Sequence, residues 1–292
     1  MTLDPITSLA SIKQELEGGW KLFDDVYAGF GPREWARKFG RSWTYAEQPY
    51  HLAYFDGTLA KYLAYGPNVP DDDRMHLRSM GEIDEWNRRE FARRAPSHGV
   101  VDSLSLMRQS RDAIRRHLQQ MTEADLERKT WMPLVMGWAT VRAVLQAVII
   151  HNVAEYWKLW IKTGKRSAAP SPAAVHLRLD FMMSLMPASM NRELAARKPF
   201  TVVWNFEGPG GGAWTFNVRD GTCTVLTTAV DRSDLTITMK PETFHRLVAR
   251  MAPGPLLILT RQMKIKGLTG MGTFARMFPE PKPGQVLSAG SG

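Results

Sequence analysis

Apolar residues recur at helical spacing over four long stretches of the first half of the chain, roughly Ile6 to Tyr27, Thr44 to Tyr65, Val100 to Met121 and Ala139 to Thr163. Four helices of this length predict a bundle, with shorter helices near Pro32 to Phe39 and Met80 to Arg94. Thr44-Tyr-Ala-Glu47 reads as a capping box at a helix start, and Pro49 sets either the start of that helix or a bend in it. The second half alternates instead. Strands are predicted at Phe200 to Phe206, Ala213 to Val218, Cys223 to Thr228, Leu235 to Met239 and Met263 to Gly267. A helix from about Ala174 to Ala196 precedes them, and Pro241 to Met251 and a segment ending at Phe278 are also helical in pattern. Leu256 to Thr260 is apolar without a decisive period.

Asp220-Gly221 between two strands signals a tight hairpin, and Gly208-Pro-Gly-Gly-Gly212 a looser one. The glycine run is no phosphate loop, because neither Lys-Ser/Thr nor a helix follows it. Small residues, glycine and two prolines between Thr163 and Pro172 mark a linker. The expected organisation is therefore an all-α four-helix bundle over 1–165, a linker over 166–172, an α+β domain with a mainly antiparallel sheet over 173–281, and a flexible tail over 282–292.

Composition narrows the possibilities. The 292 residues include a single Cys, Cys223, so neither an intramolecular disulfide nor a cysteine-based zinc site is open to the chain, and a cytoplasmic location is expected. No apolar run approaches the roughly 20 residues needed to cross a bilayer. The net charge of +9 is uneven: through Lys165 there are 23 Lys and Arg against 21 Asp and Glu, and beyond it 15 against 8. Such an excess draws anionic partners or merely serves solubility. No helix-turn-helix, zinc-finger or RNA-binding signature points to nucleic acid, and Arg88 to Arg94 alternates with acids as a solvated helix face does.

The most informative polar groups are His151 and Glu155, four residues apart on an otherwise apolar helical face. Imidazole and carboxylate in such a place are bonded to each other, bonded to other core groups, or bound to a metal. His51, on another predicted helix, offers a third ligand. Glu47 lies one turn before it and serves as an alternative carboxylate or as the helix cap, while Asp56 is expected to face solvent. His76, His98 and His117 are expected at the surface, and His176 and His245 occur singly. Cys223 reads as a small buried hydrophobe. Arg37, Arg41, Arg108 and Arg111 are surface residues by default, and the tryptophans of the first half are expected mostly in its core. Phe181, Met186, Met190, Trp204, Met263, Met271, Phe274 and Phe278 form a candidate apolar ligand pocket, or an ordinary core.

With His51 on the second long helix, Trp86-Asn87 in the connection and His151 on the fourth, the first half resembles the DinB-like family of metal-binding four-helix bundles. The second half resembles the sterol carrier protein 2 domain, through its helix and hairpin sheet, the Asp220-Gly221 turn, the Asp234-Leu-Thr-Ile-Thr strand and the closing Met263-Lys-Ile-Lys-Gly267 with its helix. The pairing is similar to that of mycothiol-dependent maleylpyruvate isomerases. The resemblance implies that His51, His151 and Glu155 are metal ligands, although many members carry His where this chain has Glu155. It implies a divalent metal, zinc first and nickel, iron or manganese as alternatives, with a position open to a low-molecular-weight thiol. The activity implied is a thiol-utilising transferase or isomerase acting on a small electrophilic substrate. The rival reading is a non-enzymatic carrier or sensor of a lipid-like or sterol-like ligand, with a structural bundle.

Overall fold

Ser8 opens the first helix, α1 (Leu9–Tyr27), its hydroxyl accepting from the Ser11 amide at 3.1 Å. The computed structural model describes residues 5–39, 43–94, 97–133 and 137–280. These fall into two compact units, Ile6–Ala169 and residues 170–280.

In the first unit α1 is followed by α2 (Pro32–Trp35), α3 (Gln48–Tyr65), α4 (Met80–Arg93) and α5 (Val100–Gln120). The inward stripe of α1, including Ile12, Leu16, Trp20 and Phe23, is buried as its spacing requires. A 3-10 turn over Tyr45–Glu47 leads into α3, and Pro49 lies in the first helical turn, where its missing amide costs nothing. The Thr44 amide donates to Glu47 Oε2 at 2.6 Å, so the capping carboxylate is used as expected.

A two-stranded antiparallel hairpin, β1 (Lys129–Met132) and β2 (Gly137–Thr140), precedes the last bundle helix, α6 (Val141–Thr163). The sequence pattern predicts no strand here and starts the helix at Ala139. Thr140 explains the difference: its hydroxyl accepts from the Ala143 amide at 3.2 Å, which ends the helix on its N-terminal side. Thr130 of β1 is buried and donates to the Tyr62 carbonyl of α3 at 2.6 Å. Gly164, with φ of 69°, closes α6.

Two expectations about charged side chains are corrected. Asp56 does not face solvent but is fully buried, and Arg111 is buried too. Both lie where α3 and α5 pack, so α3 has no free face at Asp56. Arg111 Nη1 donates to Asp24 Oδ1 at 2.9 Å, and its guanidinium lies over the Trp20 and Phe23 rings. Burial pushes the Asp56 carboxyl up to about 7, against the opposing pull of Arg111 and Trp20. Arg37 and Arg108 are exposed, while Arg41 lies outside the described residues. His76 is exposed; His98 and His117 are half-buried rather than at the surface, and His98 Nε2 lies 3.1 Å from Ser103 Oγ. Trp20, Trp86 and Trp157 are core residues, whereas Trp138 is exposed.

The second unit begins with α7 (Pro172–Leu185), a 3-10 turn over Met186–Ser189, and α8 (Arg192–Arg197). The single helix predicted from Ala174 to Ala196 is thus divided. Pro187 has no amide to continue the ladder, and Asn191 starts α8 afresh by accepting from the Leu194 amide at 3.0 Å. The sheet runs β5-β4-β3-β6-β7 in space, from β3 (Phe200–Phe206), β4 (Gly212–Arg219), β5 (Thr222–Leu226), β6 (Leu235–Met239) and, later in the chain, β7 (Met263–Lys266). Only the β3–β6 pair is parallel. Asp220 and Gly221 both have positive φ, 49° and 76°, the signature of the primed turn their sequence predicts. Between β6 and β7 lie α9 (Pro241–Val248) and α10 (Gly254–Leu259), which resolves the undecided apolar segment as a helix. A final helix, α11 (Met271–Met277), packs against α8. The predicted flexible tail, 282–292, lies outside the described residues.

Candidate metal centre

His51 on α3 meets His151 and Glu155 on α6, one ligand atom from each side chain lying within 4.8 Å of the others. The two Nε2 atoms are 3.1 Å apart. Two imidazoles bonded at about 2.0–2.1 Å to one tetrahedral ion are separated by about 3.3 Å, so the spacing fits a shared cation. His51 and Glu155 are buried and His151 is half-buried, which makes His151 the open side of the cluster.

The hydrogen bonds around His51 favour one tautomer. Tyr54 donates its hydroxyl proton to Asn87 Oδ1 at 2.6 Å, and the same oxygen is bonded to His51 Nδ1. With that proton spent on Asn87, the oxygen accepts from His51 Nδ1–H, leaving a lone pair on Nε2 directed at the cluster. Burial pushes the His51 imidazole down to about 4, Glu155 opposing and Lys158 assisting, so the ring is neutral at ordinary pH. Burial likewise raises the Tyr54 phenol, which keeps its proton. Trp43 lies 4.7 Å from the His51 ring, and Phe55 stacks on His151 at 3.8 Å. These rings limit how either imidazole turns.

Glu155 is the anionic member. Burial alone raises its carboxyl, but Lys158 and the two imidazoles outweigh this and hold it well below the usual range. Lys158 forms an ion pair with Oε1, while Oε2 is buried with no hydrogen-bond partner among the described residues. An orphaned carboxylate oxygen beside two imidazole nitrogens suits a divalent cation. Gln48 braces the site from behind: its amide donates to the Glu155 carbonyl at 3.2 Å, and Tyr27 donates to its oxygen at 3.1 Å.

Glu47, the alternative carboxylate, is held by Thr44 and by Arg94 at 2.9 Å. The sequence pattern singles out neither Tyr54 nor Lys158 as part of the site. Each lies three residues beyond a ligand candidate on the same helix, and that spacing is the available signal. Asn87 lacks that spacing and is marked in the sequence only by the Trp86-Asn87 pair that the family resemblance includes.

In the second unit Trp204, Phe274 and Phe278 of the candidate pocket share an aromatic cluster, with ring separations of 5.7 Å and 5.4 Å. Trp204 Nε1 is buried with no hydrogen-bond partner among the described residues. Met263 is buried, whereas Phe181, Met186, Met190 and Met271 are half-buried. His245, which occurs alone in sequence, is buried with its Nδ1 3.2 Å from Arg178. Cys223 is half-buried, and burial pushes its thiol up to about 11.

Residues 15–154 match the model of the DinB superfamily, and residues 184–275 that of the SCP-2 sterol transfer family. The protein therefore joins a DinB-type helical bundle to an SCP2-type α+β domain. No curated protein matches the sequence significantly. Similar solved structures include a mycothiol-dependent maleylpyruvate isomerase, 10% identical over 83% of this chain and 91% of that one, with a TM-score of 0.45. Sterol carrier protein 2 from Yarrowia lipolytica is 16% identical over 35% of this chain and 92% of its own, at 0.26. A variant of a sec-alkyl sulfatase is 14% identical over 82% of this chain, at 0.34, and this chain spans only 33% of its length.

No helix among the described residues is long and apolar enough to cross a membrane.

Proposed function

We propose that the first unit is a divalent-metal-dependent, thiol-utilising transferase or isomerase of small electrophilic substrates, with His51, His151 and Glu155 as the metal ligands. The observation that carries this reading is the convergence of two imidazoles and a buried, half-unpartnered carboxylate within 4.8 Å. Zinc suits this donor set best, and nickel, iron or manganese also accept it. When bound, the cation supplies an open position at which an exogenous thiol loses its proton and becomes nucleophilic at neutral pH.

The chain's own residues supply the rest. The Tyr54–Asn87 pair presents a bare His51 Nε2, and Gln48 and Tyr27 hold the Glu155 stretch of α6 against α1 and α3. Trp43 flanks the His51 ring and Phe55 covers one face of His151, which leaves the uncovered, half-buried edge of His151 for reactants. The reacting sulfur in this reading is that of a small exogenous thiol; burial raises the Cys223 thiol of the second unit to about 11, which makes it a poor nucleophile.

The test is metal content together with turnover. Purified protein is expected to hold about one metal per chain, to lose it in His151→Ala without losing its helical signal, and to consume an electrophile only when thiol is supplied. A wild-type protein with no metal, whose stability ignores added zinc, sinks the proposal.

A second reading has its own observation. The buried, unpartnered Trp204 Nε1 in the aromatic cluster of the SCP2 segment suits an apolar ligand with one polar group, and favours a lipid carrier. Native mass spectrometry separates the two: a retained acyl ligand without metal favours the carrier.

A further inference from the structure

Between Glu242 and Glu280 the chain has no acidic residue, yet it contains Arg246, Arg250, Arg261, Lys264, Lys266 and Arg276. The apolar helix α10 lies within this run. Leu257 alone of its aliphatic residues is buried; Leu256, Ile258 and Leu259 are 47, 38 and 80% exposed. Three large aliphatic side chains on one short exposed helix are unfavourable in water and mark a contact surface.

This helix is not a loose end. Thr260 and Arg261 amides donate to the Leu256 and Ile258 carbonyls at 2.9 Å, and Gln262 donates back to Leu257, also at 2.9 Å. Arg250 and Arg261, on either side of it, both have left-handed φ, 53° and 57°, a conformation that bulky residues keep only when their surroundings hold it. An aliphatic knob is thus set between two arginines, beside the exposed lysines of β7 on which α10 packs. The acids that reach this region, Glu280 at Arg250 and Glu207 at Lys264, form exposed pairs of little energetic consequence.

We propose that α10 and its cationic surround dock the SCP2-type unit on an anionic phospholipid bilayer, Leu256 and Leu259 entering the headgroup boundary while Arg261 and Lys264 meet the lipid charges. The pattern selects this occupant. A second copy seated on the same patch sets cations against cations. Nucleic acid takes the cations but offers nothing to three exposed aliphatic side chains. A bilayer surface offers an apolar boundary and a negative potential together.

The experiment is co-sedimentation of the full chain with vesicles of phosphatidylcholine alone, or with about a third phosphatidylglycerol. Binding is expected only with the anionic vesicles, falling as salt rises. It is expected to weaken about tenfold in Leu259→Ser, further in the L256S/L259S pair, and partly in K264Q/K266Q. All these side chains are exposed, so the variants keep their circular dichroism and their zinc stoichiometry. Equal binding to both vesicle types, undiminished binding by L256S/L259S, or a wild-type dimer that Leu259→Ser dissociates overturns the proposal.

Discussion

The Glu155 carboxylate and the Lys158 ammonium, one turn apart on α6, form an ion pair in which only one carboxylate oxygen is engaged. Lys158 thereby neutralises the most buried charge of the cluster from its rim, while Oε2 stays free to face a cation. Replacing Lys158 with Met leaves that charge uncompensated. The metal-free variant is expected to lose about 1–2 kcal/mol, less than the ~3–5 kcal/mol of a fully buried pair because Lys158 is 35% exposed. Added zinc should restore more stability to it than to the wild type. Chemical denaturation with and without zinc measures both, and equal zinc increments would falsify the idea.

Tyr54 acts on the centre only through His51. Tyr54→Phe removes the oxygen that accepts from Nδ1–H and frees the ring to adopt the other tautomer. Zinc affinity should fall about tenfold, within the range for such supporting contacts, with little change in fold. Competition against a chromophoric chelator reads the change, and an unaltered affinity assigns Tyr54 to packing alone.

Asp56 predicts a pH dependence whose sign is unusual for a carboxylate. Its folded pKa, about 7, lies above the unfolded value of 3.8, so the folded state holds the extra proton between them. Its contribution to stability is therefore present at the acid end of that window and lost as pH rises through it, by up to about 1.4 kcal/mol per pH unit. Asp56→Asn should flatten the dependence. Thermal midpoints measured from roughly pH 4 to roughly pH 7 provide the check; identical slopes in both proteins refute it.

Gly210 is predicted to tolerate no side chain. Its φ is 74°, and a Cβ there would lie 2.5 Å from the Pro172 carbonyl and 2.6 Å from Val175 Cβ. Gly210→Ala should cost about 2–3 kcal/mol through strain and displacement of α7, seen as a lower denaturant midpoint. A midpoint within error of the wild type's would show that the loop relaxes freely.

Much of this fold is legible along the chain. The helix periods mark α1, α3, α5 and α6 nearly to their ends, and the β3, β4 and β6 strands and the Asp220-Gly221 turn follow from alternation and turn chemistry. The hairpin of β1 and β2 is not legible, because four-residue strands carry too few positions to show a period. The break at Pro187 is signalled by the proline itself, but the apolar pattern continues across it and predicts one helix.

By itself the sequence determined which residues share a helical face, as His151 does with Glu155. That much is local geometry, set by 3.6 residues per turn. Only the tertiary structure decided which faces meet. It brought His51 Nε2 to 3.1 Å from His151 across a hundred residues, joined Tyr54 to Asn87, and buried Asp56 and Arg111 where α3 and α5 pack. Periodicity describes one helix at a time, whereas a converging site depends on how side-chain volumes from several helices interlock.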